Sequence, residues 1–191
     1  MKKIGLILLA TVFIIACKQN KKEDKTVETE VIETVENEVT SPKTLTVVLQ
    51  AKSETNVNGK VVFTEENGIV NMLVTVSGLE PGEHAIHLHE TADCSSPDGS
   101  SAGGHWNPTS QPHGAWGSET GYHKGDIGNF TADADGNATV EFSTDQWCIG
   151  CDDDTKNIIG KSVIIHAGED DLTSQPSGAA GARVSCAGII E

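Results

Sequence analysis

The chain has 191 residues, enough for one ordinary domain, and its 28 acidic residues against 13 Lys and Arg give a formal net charge of −15. Such an acidic chain argues against nucleic acid as a partner, because binding to phosphates needs a basic face. Aromatic residues make up 4% of the chain and glycines number 20, which suits a loop-rich β domain better than a helical bundle.

The first 16 residues have the features of an export signal. Two lysines precede residues 4–16, which are almost entirely apolar. A membrane-spanning helix needs about 20 apolar residues, so this shorter run predicts a signal peptide. It ends in Ile-Ala-Cys, which resembles the bacterial lipobox. That resemblance implies an exported protein acylated at Cys17 and anchored in the bacterial envelope, in the periplasm or at the cell surface; the alternative is a plain signal peptide with an incidental Cys.

Residues 17–43 predict a flexible tether between this lipid and a folded domain at residues 44–191. Thr, Val and Glu recur in the segment, and no aromatic residue occurs. Its valines at a spacing of four would also allow a helix, but the apolar stripe is one residue wide and β-branched residues are frequent. The flexible coil is therefore preferred, with ends about 30 Å apart on average.

Eight short segments of the domain, rich in β-branched residues and bounded by turn signals, predict β-strands. They are residues 45–51, 60–65, 69–76, 84–90, 127–133, 138–143, 161–167 and 182–190. Tight turns are expected at Asn58-Gly59, Asn67-Gly68 and Gly136-Asn137. Two connections, 91–126 and 168–181, are long, and long loops in compact domains are usually functional or disordered. The prediction is an all-β, eight-stranded antiparallel barrel or sandwich with two long functional loops.

The first histidines lie on the predicted strand 84–90. Side chains alternate along a strand, so His87 and His89 share one face and their imidazoles can bind a single metal ion. His84 falls on the opposite face, among apolar residues, and is expected to be a packed, hydrogen-bonded structural residue.

The long loop adds His105, His113, His123 and Asp126, a set of three nitrogens and one oxygen that suits tetrahedral zinc. His166, at the end of an apolar strand, is a third candidate beside the strand pair of histidines. An all-imidazole site suits copper, whereas a mixed nitrogen and oxygen site suits zinc. Two metals that share one imidazole would use all seven side chains, which scattered surface histidines would not explain.

Motifs along the domain together resemble the copper/zinc superoxide dismutases. They are HAIHLHE, SAGGHWNP, HG, YHKGDIGNF with the turn DADG, VIIHAGEDDL and GARVSCAGII, and the match covers about residues 45–191. The resemblance implies a Greek-key barrel, copper and zinc as cofactors, and superoxide anion as substrate. The implied reaction is 2 O₂•⁻ + 2 H⁺ → O₂ + H₂O₂.

The resemblance also implies the ligands of each metal. The copper ligands are His87, His89, His105 and His166, and the zinc ligands are His105, His113, His123 and Asp126. His105 is thereby the catalytic bridge, which leaves reduced copper and takes up a proton.

Further roles follow from the same resemblance. Arg183, the only Arg in the chain, is implied to draw the anion to copper, because its planar fork binds small anions. Asp170 is implied to link a copper-ligand His to a zinc-ligand His, and Cys94 and Cys186 to form a disulfide.

Cys148 and Cys151, in WCIGC, have no counterpart role in the family pattern. A local disulfide, a free dithiol and an accessory metal or redox site all stay open, because CxxC alone is a weak signal. Residues 157–162 and 186–190 resemble the segments that pair in eukaryotic-type dimers, so a homodimer is expected. A non-catalytic metal carrier and a structural lipoprotein are the rival functions, and the complete ligand set disfavours both.

Overall fold

The computed structural model describes residues 41–191. The predicted signal peptide, the lipidation site Cys17 and most of the predicted tether lie outside these residues. Within the described part, no helix has the length and apolar character needed to cross a membrane.

Eight β-strands form the described part of the chain, and all eight predicted strands are confirmed to within two residues at each end. One 3₁₀ helix, Ser100–Ala102, lies in the first long loop. The strands are β1 (Lys43–Ala51), β2 (Asn58–Glu66), β3 (Ile69–Ser77), β4 (Gly82–His89), β5 (Gly128–Ala132), β6 (Ala138–Thr144), β7 (Ser162–His166) and β8 (Arg183–Gly188).

The strands pair antiparallel in the order β5-β4-β7-β8-β1-β2-β3-β6, and β5 contacts β6, so the sheet is a nearly closed barrel. The connections from β3 to β4 and from β6 to β7 each pass two intervening strands. Such long returns beside hairpin-connected strands define a Greek key. The Greek-key barrel expected from the sequence is therefore confirmed.

The two halves of the barrel differ in what covers their outer faces. Strands β2 and β3 largely alternate buried residues with more exposed ones, as expected when one face is in water. Every residue of β7 is buried, and so is β4 from His84 onward. These strands are covered on both faces, by the apolar core inside and by the long loops outside. A protected surface for polar side chains therefore lies on the outer face of β4 and β7.

A disulfide fastens the first long loop to the barrel. Cys94, in the connection from β4 to β5, is bonded to Cys186 of β8. Around it, Ala102 and Ile164 form a small buried cluster separate from the main core. The loop therefore has its own apolar base on the outer face of the sheet.

The structure departs from the sequence analysis at one predicted turn and in one loop. Asn58 and Gly59 lie in β2, paired with Ser77 and Val76, and do not form the expected turn. A Cβ at Gly59 would lie 2.1 Å from the Thr75 carbonyl oxygen, so this glycine permits close strand packing. The connection 145–161 is a third long loop, which the sequence analysis did not single out, and it contains a Cys148–Cys151 disulfide.

We expect replacement of both Cys94 and Cys186 by Ala to lower the free energy of unfolding of the metal-free protein by about 4–5 kcal/mol, because the bridge closes a long loop in the unfolded chain. The two cysteines are 92 positions apart, against three for Cys148 and Cys151. Urea unfolding of this double variant, and of the one in which Cys148 and Cys151 are both replaced by Ala, measures the difference in stability lost. Equal losses of stability would contradict this account.

Candidate metal centre

Four imidazoles meet on the outer face of β4 and β7. His87 and His89 project from β4, and His166 ends β7. His105 comes from the first long loop, where an antiparallel bridge to His89 holds its backbone beside β4. One nitrogen from each ring lies within 4.8 Å of the others, a spacing that suits ligation of one metal ion.

A second set, His105, His113, His123 and Asp126, also brings its ligand atoms within 4.8 Å of one another. Asp126 is its centre: its carboxylate oxygens lie 2.8 Å from His105 Nδ1, 3.0 Å from His113 Nδ1 and 3.2 Å from His123 Nδ1. The backbone N–H of His123 donates to the same carboxylate at 2.8 Å. All four residues are buried.

His105 belongs to both sets. Its Nδ1 faces Asp126, and its Nε2 is buried without a hydrogen-bond partner among the described residues. Its ring centroid lies 3.9 Å from that of His87. One imidazole therefore presents one nitrogen to each half of the centre.

The donor set fits copper and zinc. Four buried ring nitrogens have no hydrogen-bond partner within residues 41–191: His87 Nδ1, His105 Nε2, His113 Nδ1 and His123 Nδ1. Each such atom would cost about 1–3 kcal/mol, a penalty that a bound cation removes. Four imidazoles suit copper, and three imidazoles with one carboxylate suit zinc.

The Asp170 carboxylate bonds to one ring of each ligand set. His87 Nε2 donates to one of its carboxylate oxygens at 2.7 Å, and His113 Nε2 donates to the other at 2.9 Å. A proton fixed on Nε2 leaves Nδ1 of each ring free to ligate, which is how an outer carboxylate sets the tautomer of a metal-binding His. Asp170 thus occupies the linking position that the resemblance implied.

Two polar residues that sequence reasoning missed support this arrangement. The Asn129 side chain accepts from the backbone N–H of Asp170 at 2.9 Å and donates to its carbonyl at 2.8 Å. The Gln175 side chain makes the same pair of bonds with the backbone of His113, at 2.9 and 2.8 Å. Asn129 lies within the motif YHKGDIGNF but carries no imidazole, thiol or carboxylate, and Gln175 lies outside the motifs, so neither was singled out from the sequence.

Arg183 lies beside the four-imidazole set, directly across from His166 in the β7–β8 pair. Its two terminal nitrogens donate to the carbonyls of Gly99 and Gly103 at 2.7 Å each. The Gly103 carbonyl also accepts from His89 Nδ1 at 3.0 Å. One carbonyl therefore connects the guanidinium to a ring of the four-imidazole set.

Burial and hydrogen bonds shift the pKa values of several groups in the two sets. Burial, aided by neighbouring histidines, lowers the pKa of His105 to about 4 and that of His166 to about 3, and it also lowers the pKa of His89. Burial opposes ionisation of Asp126, but the histidine nitrogens and the backbone N–H of His123 around its carboxylate outweigh it and hold its pKa below the usual range. The rings of His89, His105 and His166 therefore favour the neutral form, which is the form that ligates metals.

The seventh histidine, His84, lies outside both sets. Its ring is stacked on Phe130 with centroids 5.8 Å apart, and its nitrogens lie 2.8 and 2.7 Å from the carbonyl oxygens of His166 and Glu80. It is packed and hydrogen-bonded, as the sequence analysis expected.

The family model described as copper/zinc superoxide dismutase (SODC) matches residues 57–189. The chain belongs to this family. It is 37% identical over 142 residues to "Superoxide dismutase [Cu-Zn] 2" of Mesembryanthemum crystallinum, a match that covers 71% of this chain and 87% of the plant protein. The domain therefore has close to the full length of a dismutase relative.

Solved structures give the same assignment. A double mutant of a SOD-like protein from Bacillus subtilis superimposes with a TM-score of 0.67 at 31% identity, and a single mutant of such a protein with a TM-score of 0.68 at 30% identity. Each match covers 76% of this chain and 97% of the other.

We expect Asp170→Asn to weaken metal binding by about 10- to 100-fold, the usual cost of losing a group that orients a ligand. An amide has one acceptor oxygen and cannot hold both His87 and His113 in their present tautomers. Competition with a chromogenic chelator measures the affinity. The matched control is Asp171→Asn, since the Asp171 carboxylate accepts bonds only within its own loop; equal effects of the two substitutions would contradict the assigned role.

Proposed function

We propose that the metal centre disproportionates superoxide, 2 O₂•⁻ + 2 H⁺ → O₂ + H₂O₂, as a copper/zinc superoxide dismutase. The observation that carries the proposal is the shared imidazole of His105, which belongs to both ligand sets, with Nδ1 toward Asp126 and Nε2 without a partner among the described residues. Copper would be held by His87, His89, His105 and His166, and zinc by His105, His113, His123 and Asp126.

Copper supplies alternate one-electron reduction and reoxidation when it is bound, and zinc supplies a redox-inert cation that orders its ligands. Residues of the chain would hold the proton and fix the orientation of the ligand rings. His105 is the group that can hold a proton at Nε2 and return it, because its Nδ1 is turned toward Asp126. His87 is held from Asp170 and His89 from Gly103, so neither ring has to reorganise.

Arg183 orients the anion. A guanidinium presents donors in a rigid planar fork, and two of them are already committed to the carbonyls of Gly99 and Gly103. This anchoring fixes the plane of the fork, so that its remaining N–H groups can bind a small anion beside His89. The backbone pairing of Arg183 with His166 keeps this group next to the proposed copper ligands.

His166→Ala tests the proposed reaction. We expect dismutase activity to fall by more than about 100-fold, beyond the cost of losing a residue that only orients a ligand. Zinc content should stay at the wild-type level, because His166 belongs to the four-imidazole set alone. Activity and metal content are measured on the same copper- and zinc-loaded samples. A loaded wild-type protein without activity would favour a metal carrier and contradict the proposal.

Export and lipid attachment are the second part of the proposal. The apolar run before Cys17 supports a signal peptide, and the two disulfides support an oxidising compartment. We expect Cys17→Ser to abolish incorporation of labelled fatty acid and to release the protein from the membrane fraction. Continued fatty-acid labelling of this variant would contradict acylation at Cys17.

A homodimer is the third part. Backbone bonds join residues 157–162 to residues 186–190, from Gly160 N–H to the Ile189 carbonyl at 2.8 Å and from Ile189 N–H to the Lys161 carbonyl at 2.7 Å. Next to them Ile190 is 64% exposed, which suits an apolar contact with a second copy.

We expect Ile190→Glu to convert the dimer to monomer in size-exclusion chromatography with light scattering, because the contact would bury an unpaired charge. Val48→Glu is the matched control, since Val48 is equally exposed at 64% but lies on β1. A wild-type monomer, or dissociation by both substitutions alike, would contradict this interface.

A further inference from the structure

The turn His123–Asp126 carries two of the proposed zinc ligands, and the barrel holds it from one side. Gly125 N–H donates to the Trp106 carbonyl at 3.0 Å, and its own carbonyl accepts from Leu88 N–H at 2.9 Å. A Cβ at Gly125 would lie 2.2 Å from the Leu88 carbonyl oxygen. The backbone of the turn therefore lies directly against β4 near its end.

The loop 145–161 holds the same turn from another side. The indole N–H of Trp147 donates to the carbonyl of Lys124 at 2.8 Å, and Lys124 lies between the ligands His123 and Asp126. The Gln146 amide donates to the Tyr122 hydroxyl at 2.7 Å and accepts from Lys124 Nζ. Two consecutive residues of this loop thus contact the residues on both sides of His123.

Trp147 is also buried and contacts a second residue of the first long loop. It is among the largest fully buried side chains. Its ring meets that of Trp116, which lies between His113 and His123 in the sequence, with centroids 5.9 Å apart and nearly perpendicular planes. Trp147 therefore contacts the first long loop twice, through the ring of Trp116 and through the hydrogen bond to Lys124.

The Cys148–Cys151 disulfide closes the chain directly after Trp147. Cys148 pairs with the far side of its own loop, donating to the Lys156 carbonyl at 2.9 Å and accepting from Ile158 N–H at 3.0 Å. Ile149 N–H donates to the Glu65 carboxylate at 2.9 Å, which fastens the segment to β2. The backbone that follows the indole is thus fixed at Cys148 and at Ile149.

We propose that Trp147 is a positioning residue for the zinc half of the centre, and that the Cys148–Cys151 bridge serves to fix it. The inference rests on the proposed assignment of zinc to His105, His113, His123 and Asp126. It gives a role to the WCIGC motif, which the dismutase reaction itself does not require.

The rate of zinc release from the copper- and zinc-loaded protein tests this role. Trp147→Phe keeps an aromatic ring against Trp116 but leaves the Lys124 carbonyl without its donor. We expect zinc to transfer to a chromogenic chelator about tenfold faster, at the lower end of the range for groups that orient ligands. The copper absorption band should stay unchanged, because Trp147 contacts none of the four copper ligands.

A stability control separates positioning from general loosening of the fold. Val74→Ala removes buried volume from β3, and its melting temperature can be compared directly with that of Trp147→Phe. We expect Val74→Ala to lower the melting temperature while zinc release stays within about twofold of wild type. Equal acceleration in both variants would overturn the inference, and so would wild-type zinc release from Trp147→Phe.

Replacing Cys148 and Cys151 together by Ser tests the second half of the proposal and serves if Trp147→Phe does not fold. We expect this variant also to release zinc faster than wild type, with the Cys94–Cys186 bridge intact by mass spectrometry. Unchanged release would overturn the role of the bridge. A wild-type protein that binds no zinc would instead contradict the proposed function, so the two failures are distinguishable.

Discussion

The buried carboxylate of Asp126 is the interaction on which the centre depends. Three histidine nitrogens and the backbone N–H groups of His123 and Gly114 surround its two oxygens. A carboxylate in this position would be costly without partners, because its charge is removed from water. The same contacts bring together parts of the first long loop that are far apart in sequence. The carboxylate of Asp126 therefore both holds the loop together and arranges its imidazoles.

The barrel contributes the fixed side of the centre. His87, His89 and His166 are placed by the ladder of β4 and β7, whose hydrogen bonds leave little freedom in the backbone. The second long loop adds Asp170, which bonds to one ring from the strand and one from the first loop. Sites built on regular elements and supported from behind hold their geometry better than sites on loops alone. Here two loops acquire that precision because the carboxylate of Asp170 connects both of them to the sheet through His87.

The sequence was sufficient to predict the strands and the residues that the structure brings together as two sets of potential metal ligands. Alternating apolar residues and clustered histidines are local patterns, and the order of the motifs identified the family. The supporting contacts could not be predicted in this way. Asn129 and Gln175 act through their side-chain amides on backbone groups 41 and 62 positions away, and the local sequence does not show which distant backbone a side-chain amide will bind, even for Asn129 within YHKGDIGNF. The Asn58-Gly59 prediction was wrong because a dipeptide that favours turns also suits a strand where the neighbouring backbone leaves no room for a Cβ.

The net charge of −15 would repel an anionic substrate unless the local field at the centre has the opposite sign. With both metals bound, the local field at the centre would be positive, because two divalent cations and Arg183 outweigh the charges of Asp126 and Asp170. The loop 168–181 contains no lysine, and Glu169 and Asp171 lie at its start. On the proposed function, attraction of the anion would depend on the metals and on Arg183, and it would act over a short range at physiological salt. The two carbonyls that hold Arg183 in place suit this proposed role, because a guanidinium that binds the anion at close range would need a fixed orientation.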